Sequence, residues 1–503
     1  MTRPSALEEG VVKEMKPLKR FFGKPLFVVR CLLASIPCSG VLCASSETTK
    51  PNILLILADD LSWFDLGCYG SKDVRTPNID KLAREGIIFT DAYTATAMCS
   101  PTRQQLYTGL FPVRSGAMAN HSSVKPGTKS IAHHLSELGY QVFLSGKEHF
   151  GPSESFPFIK REGLKIPSGP APFCLVLASR KPHDGWPKAK GYAPGKLTVP
   201  PYLVDNEETR RALARYFTEI TQLDDDVGTL MTDLKAEKKE KDTLVIFTSE
   251  QGSAFYGGKW TCYDRGLKTA FIVKWPGRIK PASKSDALIQ YVDVVPTLVE
   301  IAGGNPRQVD TGRKGAPGGN NGFDGNSFLK VLRGESKEHN SYVYGVHTMQ
   351  GAWIGGPYPI RSVRDKKYKF IWNPMHERAF VNFNNVGNRL KCWQSWLRDA
   401  QTNPRAAAIV RRWVKRPEIE FYDTEKDPFE LNDLAKNPDY AEPIKRMKRQ
   451  LESWMIQQGD RGIETELSNP KSSKEGLWEP RLEKYYKANK DSYDFIFGRL
   501  NKK

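Results

Sequence analysis

The stretch NILLILADD, residues 52 to 60, decides the fold class of this chain. Its apolar residues follow one another without polar alternation, which is typical of a strand buried on both faces of a parallel sheet. Similar apolar runs follow at 140–146, 173–179 and 243–249, and helical patterns lie between the runs at 78–86, 130–139 and 208–235. Because strands alternate with helices, the sequence predicts an α/β fold with a doubly wound, mostly parallel sheet.

The pattern changes after residues 303–325, a segment rich in Gly, Pro and Asn that we interpret as a loop or a boundary. Residues 361–372 alternate aromatic and basic side chains and predict an edge strand. A further strand is predicted at 421–423 and a helix at 439–457. We therefore expect a larger domain at 50–335, a smaller C-terminal α+β domain at 340–480 and a loosely held basic tail at 481–503.

Composition limits the classes of protein to which the chain can belong. Its 503 residues are 39% hydrophobic and 26% charged, which is enough to bury a large core and excludes disorder of the whole chain. The formal net charge of +18 predicts a surface that attracts anions, so acidic polymers are plausible partners. Because the chain has no recognisable nucleic-acid-binding motif, we expect no nucleic-acid partner.

Residues 1–45 have the pattern of a secretory signal peptide, with basic residues before an apolar run at 26–44. Arg30 and Pro37 interrupt that run, so a membrane-spanning helix is the weaker interpretation, and a lipid anchor at Cys43 is weaker still. We expect an exported protein (periplasmic, extracellular or lysosomal) with no stable membrane span after signal removal. The cysteines beyond the signal are too few for a dense disulfide framework.

Polar side chains follow each of the apolar runs. Ligands of open parallel sheets bind beyond the carboxyl ends of the strands, so these residues are expected to meet at one edge. They are Asp59, Asp60, Lys147, His149, His183, Glu250 and Gln251. The carboxylate and amide oxygens of this set suit a hard divalent cation, Ca²⁺ more than Mg²⁺. The alternative for Asp59 or Asp60 is a helix N-cap.

The basic members of the set, together with Lys259, would hold a tetrahedral anion and move protons during its transfer. Considered singly, Lys147, His149, His183 and Lys259 are also explained as ordinary loop residues. Cys99 lies one residue before a helical pattern that Ser100-Pro101 opens, which places its side chain at a positive helix end. Arg103 lies four residues on, within reach of Cys99 across one turn.

The string Cys99-Ser100-Pro101-Thr102-Arg103 resembles the C-x-P-x-R signature of type I sulfatases, and the usual Leu106-Tyr107-Thr108-Gly109 segment follows it. The resemblance extends from PNILLILADD at 51 to DPFELNDLAKNPDY at 427–440. It implies an alkaline-phosphatase-like fold, a divalent metal and a sulfated substrate. It also implies that a formylglycine-generating or equivalent maturation enzyme oxidises Cys99 to formylglycine.

The resemblance also assigns roles, residue by residue. The implied metal ligands are Asp59, Asp60, Cys99 as formylglycine, Glu250 and Gln251. In Gly146-Lys147-Glu148-His149, which is similar to the family's G-K-x-H, the lysine binds sulfate and the histidine assists sulfate release. His183 and Lys259 correspond to a further histidine and lysine that contact sulfate. The chain departs from the family at Ser249-Glu250-Gln251-Gly252, where Ser-Asp-His-Gly or Ser-Asp-Asn-Gly is usual, so each carboxylate or amide gains a methylene.

Within the family, Tyr358-Pro359-Ile360-Arg361-Ser362-Val363 and the run at 146–152 look closest to heparan N-sulfatase, the N-sulfoglucosamine sulfohydrolase group. The alternatives are an O-sulfatase acting on algal polysaccharide, a phosphodiesterase or phosphonate hydrolase of the same superfold, and a non-catalytic carbohydrate-binding homologue. Basic residues after position 340 either line a cleft for a sulfated polysaccharide or form a solvated face. These residues include Arg361, Arg364, Lys366 and Lys367.

Overall fold

The computed structural model describes residues 50–315, 319–348, 356–382, 384, 390–468, 483–484 and 487–490. The predicted signal peptide at 1–45 and most of the predicted basic tail lie outside these residues. Within the described part of the chain, no helix combines the length and apolar character that a membrane span requires.

The larger sheet has nine strands and contains all the apolar runs that the sequence singles out. Their order is β4-β3-β5-β1-β6-β7-β2-β8, and β9 pairs with β2. The strands are β1 Asn52–Ala58, β2 Ile87–Tyr93, β3 Gln141–Gly146, β4 Ile159–Arg161, β5 Phe173–Ala178, β6 Thr243–Ser249, β7 Lys268–Lys274, β8 Ser283–Ser285 and β9 Ile289–Gln290. The predicted strands β3, β5, β1 and β6 are adjacent and parallel, whereas β7 runs antiparallel to both of its neighbours.

Helices cover both faces of this sheet, which confirms the doubly wound prediction. Successive residues of β1 show why its sequence is apolar throughout, since Leu54 and Ile56 belong to one core and Ile53 and Leu55 to the other. The helices are α1 Pro77–Arg84, α2 Cys99–Thr108, α3 Pro112–Ser115, α4 Ile131–Glu137, α5 Glu207–Ala236, α6 Asp264–Leu267, α7 Val294–Ile301, α8 Leu329–Leu332, α9 Trp393–Asp399, α10 Pro404–Val414, α11 Ala441–Gln458 and α12 Ile463–Leu467. Apolar residues of α1 and α5 pack in the first core, and those of α4 and α7 pack in the second.

A second, antiparallel sheet lies in the C-terminal part of the chain. It has the order β10-β11-β12-β13, with β10 Val343–His347, β11 Ile360–Arg364, β12 Tyr368–Trp372 and β13 Ile419–Asp423. The prediction of one edge strand over 361–372 was wrong, because this segment forms a hairpin of the two inner strands. Asp365 makes the turn, where its Oδ1 accepts hydrogen bonds from the backbone N–H groups of Lys367 and Tyr368.

The two arginines of that hairpin fit neither a polysaccharide cleft nor a solvated face, because both are buried. Arg361 is fully buried and pairs with Asp460, while the Arg364 Nε lies 2.8 Å from Asp264 Oδ2. Lys366 is exposed and pairs with Asp286 at 3.0 Å. A buried guanidinium requires a matched carboxylate, so Arg361 connects β11 to the segment after α11 and Arg364 connects β11 to α6.

The two sheets share an apolar core. Ile360 and Ile371 of the second sheet belong to the same cluster as Leu54 and Ile56 of the first. Residues 303–315 and 319–325 form the predicted loop between α7 and α8. The division into domains at 50–335 and 340–480 stays a prediction.

Candidate active site

The acidic side chains meet at the carboxyl ends of β1 and β6. Ala58 is in register with Ser249, and the Glu250 N–H donates to the Ala58 carbonyl at 3.0 Å, so the residues that follow both strands lie side by side. Asp59, Asp60, Glu250 and Gln251 are each at most 1% exposed. The N-cap alternative for the aspartates is wrong, because the next helical turn starts at Trp63 with Ser62 before it.

The helix α2 begins at Cys99, whereas the sequence predicts that it begins one residue later, at Ser100. Its Sγ lies 3.8 Å from Asp59 Oδ1, 4.0 Å from Asp60 Oδ1 and 3.6 Å from Gln251 Nε2. The positive end of α2 therefore faces the acidic cluster. Cys99 therefore lies among residues that follow β1 and β6.

Three basic side chains balance the carboxylates. The Lys147 Nζ lies 2.5 Å from Asp59 Oδ2, and the Lys259 Nζ lies 2.8 Å from Asp60 Oδ2. The Arg103 Nε lies 2.6 Å from Glu250 Oε2, so its guanidinium pairs with a carboxylate while its helix carries Cys99. Arg103 is fully buried, and Lys147 retains 12% side-chain exposure.

The two predicted histidines each contact a partner that the sequence reasoning missed. The His183 Nδ1 lies 2.8 Å from Asp184 Oδ1, and its Nε2 lies 3.7 Å from Asp60 Oδ2. The His149 Nε2 lies 2.7 Å from the His121 Nδ1. The adjacency of Asp184 to His183 was a usable signal, whereas nothing in the sequence marks His121.

Burial and charge shift the acid–base equilibria of the cluster in opposite directions. Burial and the neighbouring Glu250 raise the pKa of Asp59 well above its usual range. Burial alone would also raise the pKa of Glu250, but Arg103 and Lys147 hold it well below its usual value. Burial and Glu250 would raise the pKa of the Cys99 thiol, but Lys147 and Lys259 lower it overall.

The histidines are shifted in opposite directions as well. Burial, reinforced by the positive charge of Lys147, lowers the pKa of His149 to about 4. Burial would lower the pKa of His183 too, but the negative charge of Asp60 outweighs it and raises this pKa to about 11. The two imidazoles therefore hold different protonation states at neutral pH, the first neutral and the second charged.

The donor set fits a hard divalent cation. One ligand atom from each of Asp59, Asp60, Cys99 and Glu250 lies within 4.8 Å of the others. Within the described residues, the buried Oε1 of Gln251 has no hydrogen-bond partner, while its Nε2 lies 2.5 Å from Asp60 Oδ1. A cation would supply the missing partner of that oxygen after a rotation of the amide, and it would relieve the carboxylate repulsion.

A cleft of about 700 Å³ gives access to this cluster. Its walls include the sequence-predicted Asp59, Lys147, His149 and His183. They also include residues that the sequence reasoning did not select: His121, Arg180, Asp184 and Glu219. The arrangement can hold a small anion beside Lys147 and His183, and Cys99 lies behind the cleft wall, 3.8 Å from Asp59.

Comparison with known proteins agrees with this geometry. The family model described as "Sulfatase" matches residues 51–169 and 164–304. The chain belongs to the sulfatase family. The model for the C-terminal part of N-sulphoglucosamine sulphohydrolase matches residues 252–385 of this sulfatase. The resemblance to type I sulfatases near the heparan N-sulfatase group is thereby confirmed.

Individual relatives cover most of the sulfatase. An ulvan-active sulfatase of Formosa agariphila is 34% identical over 83% of this chain and 82% of its own length. Human N-sulphoglucosamine sulphohydrolase is 26% identical over 81% of this chain and 90% of its own. A solved structure in complex with D-glucosamine-2-N,6-O-disulfate superposes with a TM-score of 0.61 at 18% identity, covering 85% of this chain and 100% of the other. The alkaline-phosphatase-like fold and the assignment as a sulfuric ester hydrolase are confirmed, and the family implies a formylglycine and a divalent metal.

Proposed function

We propose that this sulfatase removes sulfate from sugars of a sulfated polysaccharide, with position 99 as formylglycine and Ca²⁺ in the acidic cluster. The proposal rests above all on one observation. Cys99 lies within 4.0 Å of Asp59 and Asp60, these carboxylates in turn pair with Lys147 and Lys259, and Asp59 and Lys147 line an open cleft. Such a site places a nucleophile, a cation and anion-binding groups around one reacting atom.

Asp59, Asp60, Glu250, Gln251 and the side chain at position 99 would hold the metal. Several protein oxygens, two of them on the longer side chains of Glu250 and Gln251, favour Ca²⁺, because its coordination is larger and more flexible than that of Mg²⁺. When both groups are present, the hydrated formylglycine supplies an oxygen nucleophile whose pKa the cation lowers.

The chain's own residues provide the remaining chemistry. The ammonium groups of Lys147 and Lys259 neutralise the sulfate oxygens, and Arg103 keeps Glu250 charged. The His183 Nε2 donates a proton to the leaving oxygen or nitrogen while Asp184 accepts the hydrogen bond of its Nδ1 and fixes the ring. His149 accepts a proton as sulfate departs, by analogy with the family.

Two substrate classes have support. The ulvan-active relative favours O-linked sulfate on an algal polysaccharide, and the match to the N-sulphoglucosamine sulphohydrolase C-terminal model favours N-linked sulfate on glucosamine. Sulfate release from ulvan oligosaccharides, N-sulfoglucosamine and O-sulfated hexoses would decide between them. A wild-type enzyme that releases sulfate from none of these sugars would contradict the proposal.

The conversion of Cys99 to formylglycine and the export of the protein are part of the proposal. A maturation enzyme would convert Cys99, so a tryptic peptide spanning this residue should be lighter than its thiol form. Active enzyme that contains only the thiol would contradict the formylglycine assignment.

A faster turnover of aryl phosphate than of aryl sulfate would favour a phosphonate hydrolase or phosphodiesterase. Metal-dependent turnover would exclude a protein that only binds carbohydrate.

A further inference from the structure

A second cleft adjoins the reaction cleft. It has a volume of about 680 Å³ and lies beyond the carboxyl ends of β3, β4 and β5. Gly146, Glu148 and Arg180 line both clefts, so the two are direct neighbours. Each has a volume within the range of roughly 300–1,000 Å³ that is typical of small-molecule sites. The combined space suits more than one sugar unit.

The charges of the second cleft are only partly matched. Its lysines are paired, since Lys160 lies 2.5 Å from Glu148 Oε2 and Lys181 lies 2.8 Å from Asp226 Oδ2. The two arginines of this cleft differ from its lysines in their ion pairing. Among the residues that the structure describes, neither Arg161 nor Arg180 forms an ion pair.

The guanidinium of Arg161 is held against an aromatic ring. Arg161 is half-buried at the end of β4, and its guanidinium lies 5.1 Å from the centre of the Phe143 ring. Glu162, which lines the same cleft, is the one carboxylate there without an ion pair among the described residues, and it is exposed. The cleft therefore keeps a positive excess on its walls.

Arg180 is tied to the reaction centre through its backbone. Its carbonyl accepts a hydrogen bond from the His183 N–H at 3.1 Å, and the next carbonyl, of Lys181, accepts one from the Asp59 N–H at 2.9 Å. The backbone of Arg180 is therefore held next to His183 and Asp59, which take part in the proposed chemistry, while the side chain of Arg180 is exposed. It stands where the two clefts join.

We propose that Arg180 and Arg161 bind an anionic group on the sugar next to the one that loses its sulfate. The anion is a carboxylate or a second sulfate, since both accept two parallel hydrogen bonds from a guanidinium. The preferred substrate is then an oligosaccharide with a charged neighbouring unit. This inference rests on the proposed function and deepens it.

The test compares Arg180→Gln, Arg161→Gln and Arg180→Lys with the control Arg278→Gln. Arg278 is an exposed arginine that follows β7, and neither cleft includes it. Each enzyme is assayed on a singly sulfated monosaccharide and on disaccharides whose second unit is neutral, carboxylated or sulfated. The measured quantity is the ratio of kcat/KM on each disaccharide to kcat/KM on the monosaccharide.

We expect Arg180→Gln to lower this ratio about tenfold for charged disaccharides, as for the loss of a charge-assisted hydrogen bond, and not for the neutral one. Arg180→Lys keeps the charge but loses the bidentate geometry, so its ratio should fall between those of wild type and Arg180→Gln. Arg278→Gln should leave every ratio unchanged. A loss confined to the carboxylated or to the sulfated disaccharide supports the inference and identifies the anion.

Equal ratios in wild type and Arg180→Gln would overturn the inference while sulfate release itself upholds the proposed function. A matching fall on the neutral disaccharide would also overturn it, because the arginine would then act through local structure. The binding of the same disaccharides to Cys99→Ala and to Cys99→Ala/Arg180→Gln, measured by calorimetry, gives a readout that does not depend on turnover. Absence of sulfate release by the wild type from every sugar would instead overturn the proposed function.

Discussion

Replacing Arg103 by Met tests whether the acidic cluster is held together by its matched cations. Methionine is close in length to the arginine stem but carries no charge. The substitution removes the 2.6 Å pair with Glu250, the 3.7 Å contact with Asp59 and a hydrogen bond to the Lys147 carbonyl at 3.2 Å. The side chains of Arg103, Asp59 and Glu250 are at most 1% exposed, and breaking a buried pair from one side costs about 3–5 kcal/mol because the remaining charge stays buried.

The assay is urea unfolding of wild type and Arg103→Met, each in chelator and in saturating Ca²⁺. In chelator we expect the free energy of unfolding to fall by about 3–5 kcal/mol. With Ca²⁺ the loss should be smaller, since a bound cation takes over part of the compensation of Glu250 and Asp59. The mutant should also bind Ca²⁺ more tightly, because a positive charge next to the ligands has been removed.

Arg114→Met is the matched control. Arg114 is similarly buried and its Nη1 lies 3.0 Å from Asp324 Oδ1, outside the acidic cluster. Its substitution should cost a comparable free energy of unfolding that does not depend on Ca²⁺. A loss below about 1 kcal/mol for Arg103→Met, the value of an exposed pair, would refute the reasoning. Equal losses with and without Ca²⁺ would refute the link between Arg103 and the metal.

Three further predictions concern single residues. Cys99→Ala should abolish sulfate release while leaving the urea midpoint close to that of wild type, and residual release near the wild-type rate would contradict the nucleophile assignment. His121→Ala should change the tautomer ratio of His149 in ¹⁵N NMR, because the 2.7 Å contact is lost; an unaltered spectrum would show that this contact does not fix the ring. Burial raises the pKa of Asp65 to about 7, so stability falls as pH rises from about 4, where the unfolded carboxyl ionises, and the loss is complete above about pH 7. Asp65→Asn should therefore gain up to about 4 kcal/mol over wild type at about pH 8 and nothing at about pH 4, and a pH-independent difference in the unfolding free energy would contradict this.

The first sheet and its rim were predictable because their signals are local. A run such as NILLILA at 52–58 has no polar face, so it has to be covered on both sides. Once β1 and β6 are parallel neighbours, the residues that follow them must lie together. Asp59, Asp60, Glu250 and Gln251 could thus be grouped although Asp60 and Gln251 lie 191 residues apart along the chain.

The second sheet was less predictable because its charges are compensated from a distance. Basic alternation over 361–372 indicates a strand with one face in water. Arg361 is buried all the same, because Asp460, which lies 99 residues further on, supplies its partner. A sequence pattern records which residues carry charge but not where the opposite charge will come from. His121 was not predicted because its partner, His149, is also distant along the chain, 28 residues away.

The charge count of the site explains why a cation and a sulfate would bind there together. The buried carboxyl groups of Asp59, Asp60 and Glu250 pair with the basic groups of Arg103, Lys147 and Lys259, and the charged His183 lies 3.7 Å from Asp60. Gln251 adds an oxygen ligand but no charge. A divalent cation that enters this cluster adds positive charge to it, and an anion in the adjoining cleft offsets that charge. Each ligand therefore strengthens the binding of the other by the same factor, as linkage requires.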